Sequence, residues 1–208
     1  MSANPLASVL PALALLDYVG IAVFAVSGAL LAAEKRLTFV TFLFFAVVTG
    51  LGGGTIRDLL IGAPVFWRHE NWFLLICFAA ALLVWFTPLR HWGGSGLAWF
   101  DAVGLAVYAS YGAAKALAFD VAPLPAFVMG VLTACAGGII RDVLAADPSI
   151  LLRPELYVTA AALAAGLTIA LTLLGVPDLV AGVIATVAGF TLRAVAIARG
   201  WSLPAYRR

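Results

Sequence analysis

Six ionisable residues stand inside apolar stretches of this 208-residue chain: Asp17, Arg57, Asp58, Asp101, Arg141 and Asp142. An ionised side chain in hydrocarbon is costly. Such residues therefore face the protein interior or water, pair with one another, and mark ion or substrate paths. Two uses follow for this set. The residues could be structural ion pairs that tie helix ends, or fixed charges along a permeation path, and the two uses can coexist. Lys115 and Arg193 also fall in apolar runs. A lysine late in such a run is either an anchor whose stem lies in apolar surroundings or a gating charge.

The arginine–aspartate pairs follow glycine-rich segments, Gly50–Gly54 in one run and Gly137–Gly138 in another. Glycine relaxes the backbone, so a kink or unwound turn is expected at Gly52, Gly53, Gly54, Gly137 and Gly138. Carbonyls opened there must find partners in protein or water, which predicts that both breaks face an internal cavity. The competing use of these glycines is close helix packing. Gly104, Tyr108, Gly112 and Ala116 recur on one helix face in the same way.

Other chemistries lack their parts. No nucleophile–base arrangement appears, and the Gly-Gly-Gly-Thr run lacks the lysine of a nucleotide loop, so an enzyme is not predicted. His69 and His91 have no His or Cys partners nearby, and no metal or other cofactor is expected. Cys77 and Cys135 sit in apolar runs and read as buried free thiols. The net charge is +2 with no Lys/Arg cluster, which argues against a nucleic-acid partner.

The elements that position these residues are membrane helices. Hydrophobic residues make up 64% of the chain and charged ones 11%, against roughly 45–50% and 25% in soluble domains. A spanning helix needs about 20 mainly apolar residues. Seven candidates run approximately Ala12–Ala33, Thr38–Leu60, Asn71–Pro88, Trp99–Phe119, Pro123–Leu144, Glu155–Leu174 and Asp178–Ala198. Charged residues, Gly and Pro punctuate the breaks. Trp67, Trp72, Trp92, Trp99, Trp201 and Tyr206 cluster near span ends, as interfacial aromatics do. Trp85 falls within a span and reads as packing. No basic stretch precedes the first apolar run, so a cleaved signal peptide is not expected. With the N-terminus outside, the inner segments hold Lys35, Arg36, Arg90, Arg153, Arg199, Arg207 and Arg208, and the outer ones Arg68 and Lys115. That asymmetry predicts a cytoplasmic C-terminus.

The chain matches itself at an offset of 84 residues. Asp17 to Ala25 faces Asp101 to Ala109. Thr49 faces Thr133, Gly53-Gly54 faces Gly137-Gly138, Arg57-Asp58 faces Arg141-Asp142, and Pro64 faces Pro148. Each copy holds three spans, and an odd number of crossings forces the second copy to enter from the opposite side. The expected fold is thus all-α: one membrane domain over residues 1–208, with repeats at 12–88 and 99–174 in inverted topology and a seventh helix at 178–198. Inverted repeats with broken helices are at home in carriers, and the same symmetry makes a pore. Asp17 falls on the side of Arg57 and Asp101 on the side of Arg141, which gives one charge network per membrane face. A membrane scaffold whose glycines only pack helices is the third reading.

Gly52-Gly53-Gly54-Thr55-Ile56-Arg57-Asp58 and Gly137-Gly138-Ile139-Ile140-Arg141-Asp142 resemble the signature of the trimeric intracellular cation (TRIC) channel family. The bacterial branch, also called a glycine transporter family, is the most similar, and the resemblance covers about residues 12–200. It implies a homotrimer in membrane lipid, with a K+- and Na+-conducting pore in each protomer and kinked second and fifth helices lining it. It also implies a cytoplasmic C-terminus and, for Lys115, a candidate role in voltage gating by approximate position. A chain this short, without the long basic tail of animal members, points to a prokaryotic inner membrane. The function expected is a monovalent-cation channel, with carriage of a glycine-like solute as the alternative.

Overall fold

The computed structural model describes residues 6–204, with side chains from Leu16 onward. Tyr206, Arg207 and Arg208, which entered the interface and charge arguments, lie outside the described residues. Seven α-helices follow one another: α1 (Leu6–Glu34), α2 (Phe39–Leu60), α3 (Trp72–Phe86), α4 (Gly96–Ala118), α5 (Pro123–Leu144), α6 (Val158–Leu173) and α7 (Asp178–Arg199). Short 3-10 turns at Phe66–Arg68, Leu89–His91 and Ile150–Leu152 lie between them.

Local signals set these ends. The Thr38 hydroxyl accepts from the Thr41 N–H at the start of α2. Pro123 opens α5, where a missing N–H costs nothing. α1 and α4 close alike: Arg36 and Asp120 take positive φ (54° and 58°), and the next N–H, of Leu37 or Val121, returns to the carbonyl of Ala32 or Ala116. α2 and α5 close alike too. Gly62 and Ala146 take positive φ, and the N–H of Ala63 or Asp147 reaches the carbonyl of Asp58 or Asp142. These are left-handed caps that satisfy the last helix carbonyls. Each pair is 84 residues apart.

Leu16–Glu34, Phe39–Leu60, Pro123–Leu144 and Asp178–Arg199 are long and apolar enough to cross a membrane. The helices expected at Asn71–Pro88 and Glu155–Leu174 are shorter than read, with 15 and 16 residues. At 1.5 Å per residue α3 rises about 22 Å, less than the roughly 30 Å hydrocarbon core. Asn71, Thr87 and Pro88 at the ends of the first segment, and Glu155 to Tyr157 at the start of the second, lie outside the helices.

α4 lies at the centre, against α1, α5, α6 and α7. Every residue from Gly104 to Ala113 is buried. A helical stretch enclosed on all sides needs no polar face. The Ser110 hydroxyl sits 2.6 Å from that of Thr168 and 3.1 Å from the Gly182 carbonyl, which joins α4, α6 and α7. The outer surface is apolar, with Val40, Leu59, Trp72, Phe86, Leu173 and Leu174 all exposed. Such a surface suits lipid rather than water. Trp85 packs edge-on against Phe39 and Phe42.

The glycine segments correct one expectation. α2 and α5 remain helical straight through Gly52–Gly54 and Gly137–Gly138, with no unwound turn and no opened carbonyls. What the glycines permit is contact. A methyl group on Gly53 would collide with the Thr133 carbonyl, and one on Gly137 with the Thr49 carbonyl. α2 and α5 therefore cross backbone to backbone. Contacts this close place Cα hydrogens against carbonyl oxygens, a weak but recurrent attraction at helix interfaces.

Candidate functional site: two buried charge networks

The last turns of α2 and α5 each carry an Arg-Asp pair, and each pair is built alike. Arg57 Nε donates to Asp58 Oδ1 at 2.8 Å, and Arg141 Nε to Asp142 Oδ1 at 2.9 Å. The other carboxylate oxygen caps a turn eight residues on. Asp58 Oδ2 accepts from the Phe66 N–H at 3.1 Å, and Asp142 Oδ2 from the Ile150 N–H at 2.9 Å. Arg57, Asp58, Arg141 and Asp142 are all buried. So are Asp17 and Asp101, one helix away in each case.

The networks then diverge. Around Arg141 the closure is direct. Its Nη1 lies 2.7 Å from Asp101 Oδ1 and also donates to the Ser27 hydroxyl. One guanidinium thus holds two carboxylates, and its fork geometry suits that task. Around Arg57 the expected partner Asp17 is not in contact. Asp17 instead accepts from the hydroxyls of Tyr111 at 2.8 Å and Tyr108 at 3.2 Å. The Arg57 guanidinium lies over the Tyr111 ring, 4.7 Å from its centroid, an arrangement attractive for a cation. Tyr111 stands at the repeat position of Ser27. A large aromatic in one copy and a small hydroxyl in the other account for the difference.

Lys115 enters the first network. Its Nζ lies 2.9 Å from Asp58 Oδ1 and 3.1 Å from Oδ2. It is neither a lipid-facing anchor nor a surface residue of one face, and it drops out of the charge count used for orientation. Asp58 is therefore shared by two cations, while Asp142 shares its one cation with Asp101. Arg193 pairs with Glu155, Nη2 to Oε2 at 2.5 Å, and lies over the Tyr157 ring.

A cavity of about 210 Å³ opens beside the second network, lined among others by Glu34, Ser95, Arg141, Asp142, Asp147 and Arg153. Its mixed charge suits hydrated ions rather than an apolar ligand. Cys77 and Cys135 are free and buried. Among the described residues, no three His, Cys, Asp or Glu side chains are grouped to hold a metal ion.

Sequence reasoning gave no site role to Tyr108, Tyr111, Ser27, Tyr157 or Glu155. A usable signal existed for two of them. Tyr108 and Tyr111 stand three apart on one helix face within an apolar run, where a buried hydroxyl needs a partner.

Buried carboxylate–guanidinium clusters at the ends of two glycine-crossed helices, inside an apolar bundle, define a polytopic helical membrane protein. A family model described as "Glycine transporter" matches residues 14–88 and again 98–173, and the chain belongs to that family. The starts of the two matches are 84 residues apart.

Named relatives are the "UPF0126 membrane protein" of Vibrio cholerae and the "UPF0126 inner membrane protein YadS" of Escherichia coli K12. The first is 45% identical over 70% of this chain and 62% of its own length. The second is 45% identical over 70% of this chain and 72% of its own. The matched part of the chain thus spans less than two thirds of the Vibrio protein. Among solved structures, the TRIC trimeric intracellular cation channel orthologue of Rhodobacter sphaeroides superposes with a TM-score of 0.84. It is 40% identical, over 91% of this chain and 98% of that one. A TRIC channel of Caenorhabditis elegans, at 15% identity and a TM-score of 0.60, shares the fold. The matching solved structures are of channels, not enzymes.

Proposed function

We propose that the chain is a monovalent-cation channel conducting K+ or Na+. The observation that carries this reading is the likeness, at 40% identity and a TM-score of 0.84, to a cation channel orthologue along nearly its whole length. Each protomer of a homotrimer would hold its own pore, since the solved relative is described as trimeric. All seven segments would cross the inner membrane, α3 and α6 together with the chain that flanks them, with the N-terminus outside and the C-terminus in the cytoplasm.

The inverted repeat belongs to the same proposal. Contacts recur in pairs with both residues exchanged between copies: Gly53 on Thr133 with Gly137 on Thr49, and Gly20 on Tyr108 with Gly104 on Phe24. In the first pair the residue number rises along α2 as it falls along α5, as in antiparallel neighbours. A pathway running along α2 and α5 would meet one charge network toward each end and the α2–α5 crossing between them. Bending α2 and α5 at the crossing glycines would widen it. Each arginine is neutralised by carboxylates, so a cation need not pass a bare positive charge. Lys115 would gate the first network by leaving Asp58.

The family description favours a second reading, carriage of glycine or a similar small solute, and two-fold contacts also suit a carrier. Recordings from purified protein in a planar bilayer separate the two. Discrete unitary currents reversing near the K+ equilibrium potential are expected. Saturable glycine uptake into liposomes, without unitary currents, would overturn the channel reading. A scaffold would give neither.

A further inference from the structure

The second network has an attachment that the first lacks. α7 ends at Gly200 in a left-handed cap, and the Trp201 N–H returns to the Ala196 carbonyl. The chain then lies along the segment before α6. Ser202 pairs with Glu155 in an isolated antiparallel bridge, and the Leu203 N–H donates to the Pro154 carbonyl at 2.7 Å. Glu155 holds Arg193 at 2.5 Å. The Arg193 guanidinium sits 5.4 Å from the centroid of the Tyr157 ring. The opposite end of Tyr157 reaches α5. A Cβ built on Gly138 would meet the Tyr157 hydroxyl at 2.9 Å and Asp101 Oδ1 at 3.3 Å. The Tyr157 hydroxyl is buried and makes no hydrogen bond among the described residues, so it borders Asp101 without being tied to it.

Arg193 is otherwise hard to account for. It is one of the largest fully enclosed side chains, on a helix with no counterpart in the repeat, and it lies outside both Arg-Asp networks. Burying a cation in a bundle is expensive unless it is paired. Its one carboxylate within ion-pair distance among the described residues comes from the strip that the C-terminal segment covers. The residue equivalent to Tyr157 in the first copy is Phe73, which stacks on Tyr18, meets Phe66 edge-on and has no hydroxyl to offer.

We infer that Tyr157 is a positioning residue for the Arg141–Asp101 pair, and that the segment after α7 straps it in place through Glu155 and Arg193. With the strap seated, the ring is pinned by Arg193 and its hydroxyl borders the carboxylate that closes the second network. Lifting the strap frees Arg193 from Glu155, lets Tyr157 turn, and loosens that end of the bundle alone. The effect on ion flow rests on the channel reading; the movement itself does not.

Two cysteines report the movement in the intact chain. Cys135 lies three residues before Gly138 on the same face of α5, and Cys77 is buried in the other copy against Gly50. The variants are Leu203→Pro, which removes the N–H held by Pro154 at an exposed position, and Glu155→Gln, which removes the charge facing Arg193. Both should raise the rate of maleimide labelling at Cys135 at least about fivefold, as local opening sets such rates, and leave Cys77 unchanged. Peptide mass spectrometry reads the two thiols separately. Glu155→Asp should restore most of the protection. In bilayers the same variants should change open probability and leave unitary conductance at the parent value. Leu203→Pro should add nothing once Tyr157→Phe is present. Equal acceleration at both cysteines would mean general loosening and would overturn the strap, as would no acceleration at either. A parent protein that passes no current would count against the channel reading alone, because Cys135 labelling still decides the strap.

Discussion

Asp58 and Asp142 are equivalent by sequence and unequal by environment, and that inequality has a measurable size. Asp58 is the carboxylate within ion-pair distance of both Arg57 and Lys115. Asp142 has Arg141, which keeps Asp101 at 2.7 Å whatever happens to Asp142. Asparagine retains the shape and one acceptor of aspartate, so it can still cap the Phe66 or Ile150 N–H. The substitution removes the charge and little else. Asp58→Asn strands two enclosed cations, and removing one partner of a buried pair costs about 3–5 kcal/mol. Lys115 can recover part of this by swinging toward the lipid headgroups. Asp142→Asn strands none and weakens charge-assisted bonds worth roughly 1.5–3 kcal/mol. The expected gap is about 2 kcal/mol, near a thirtyfold difference in the folding equilibrium. The assay is thermal or denaturant unfolding of both purified variants in the same detergent, followed by loss of native oligomer on size exclusion. Lys115→Met added to Asp58→Asn should recover part of the loss, and added to Asp142→Asn should recover nothing. Equal destabilisation of the two variants, or a greater loss with Asp142→Asn, would refute the assignment of both Arg57 and Lys115 to Asp58.

Other expectations follow from the same contacts. Gly53→Ala and Gly137→Ala each place a methyl group against a backbone carbonyl that cannot rotate away. Each should cost about 1–3 kcal/mol in unfolding assays, by equal amounts because the two contacts are exchanged between copies. Arg57→Ala and Arg141→Ala each take the guanidinium from buried carboxylates, so membrane yield and oligomer retention are to be measured beside current; the folded protein should keep cation selectivity and show current–voltage curves skewed in opposite directions. Identical curves would remove both arginines from the pathway. Lys35 and Asp147 pair at 2.8 Å with each side chain about one third exposed. Lys35→Ala should therefore change stability by less than about 1 kcal/mol, and a larger loss in the same unfolding assay would mean that this pair is shielded from water.

What the sequence carried and what it hid follow one division. The repeat was legible because paired Asp, Arg-Asp and Pro at one offset are too specific for chance in apolar sequence. The helix ends obey it, as the matched caps at Arg36 and Asp120 show. Span boundaries were legible wherever charge or proline interrupts apolar runs, and α5 falls where Pro123 and Leu144 place it. The short helices α3 and α6 were read too long because their bounds were set at flanking punctuation such as Pro88 and Glu155, which lies a few residues beyond the last helical turn. The sequence left the glycines open between a kink and close packing for a related reason. Sequence reveals that a side chain is missing, not what fills the space, and the filler in this bundle is a carbonyl from a helix about 80 residues away. The charge networks divide in the same manner. Arg57-Asp58 and Arg141-Asp142 are adjacent in sequence, so their pairing is local geometry. Asp17 depends on which side chain α4 presents, and a single exchange, Tyr111 for Ser27, decides whether an arginine meets its carboxylate or rests on a ring. A repeat predicts where charges stand in both copies, but residues with no match in the other copy, Tyr111, Lys115 and Arg193, make the two ends of the bundle chemically different.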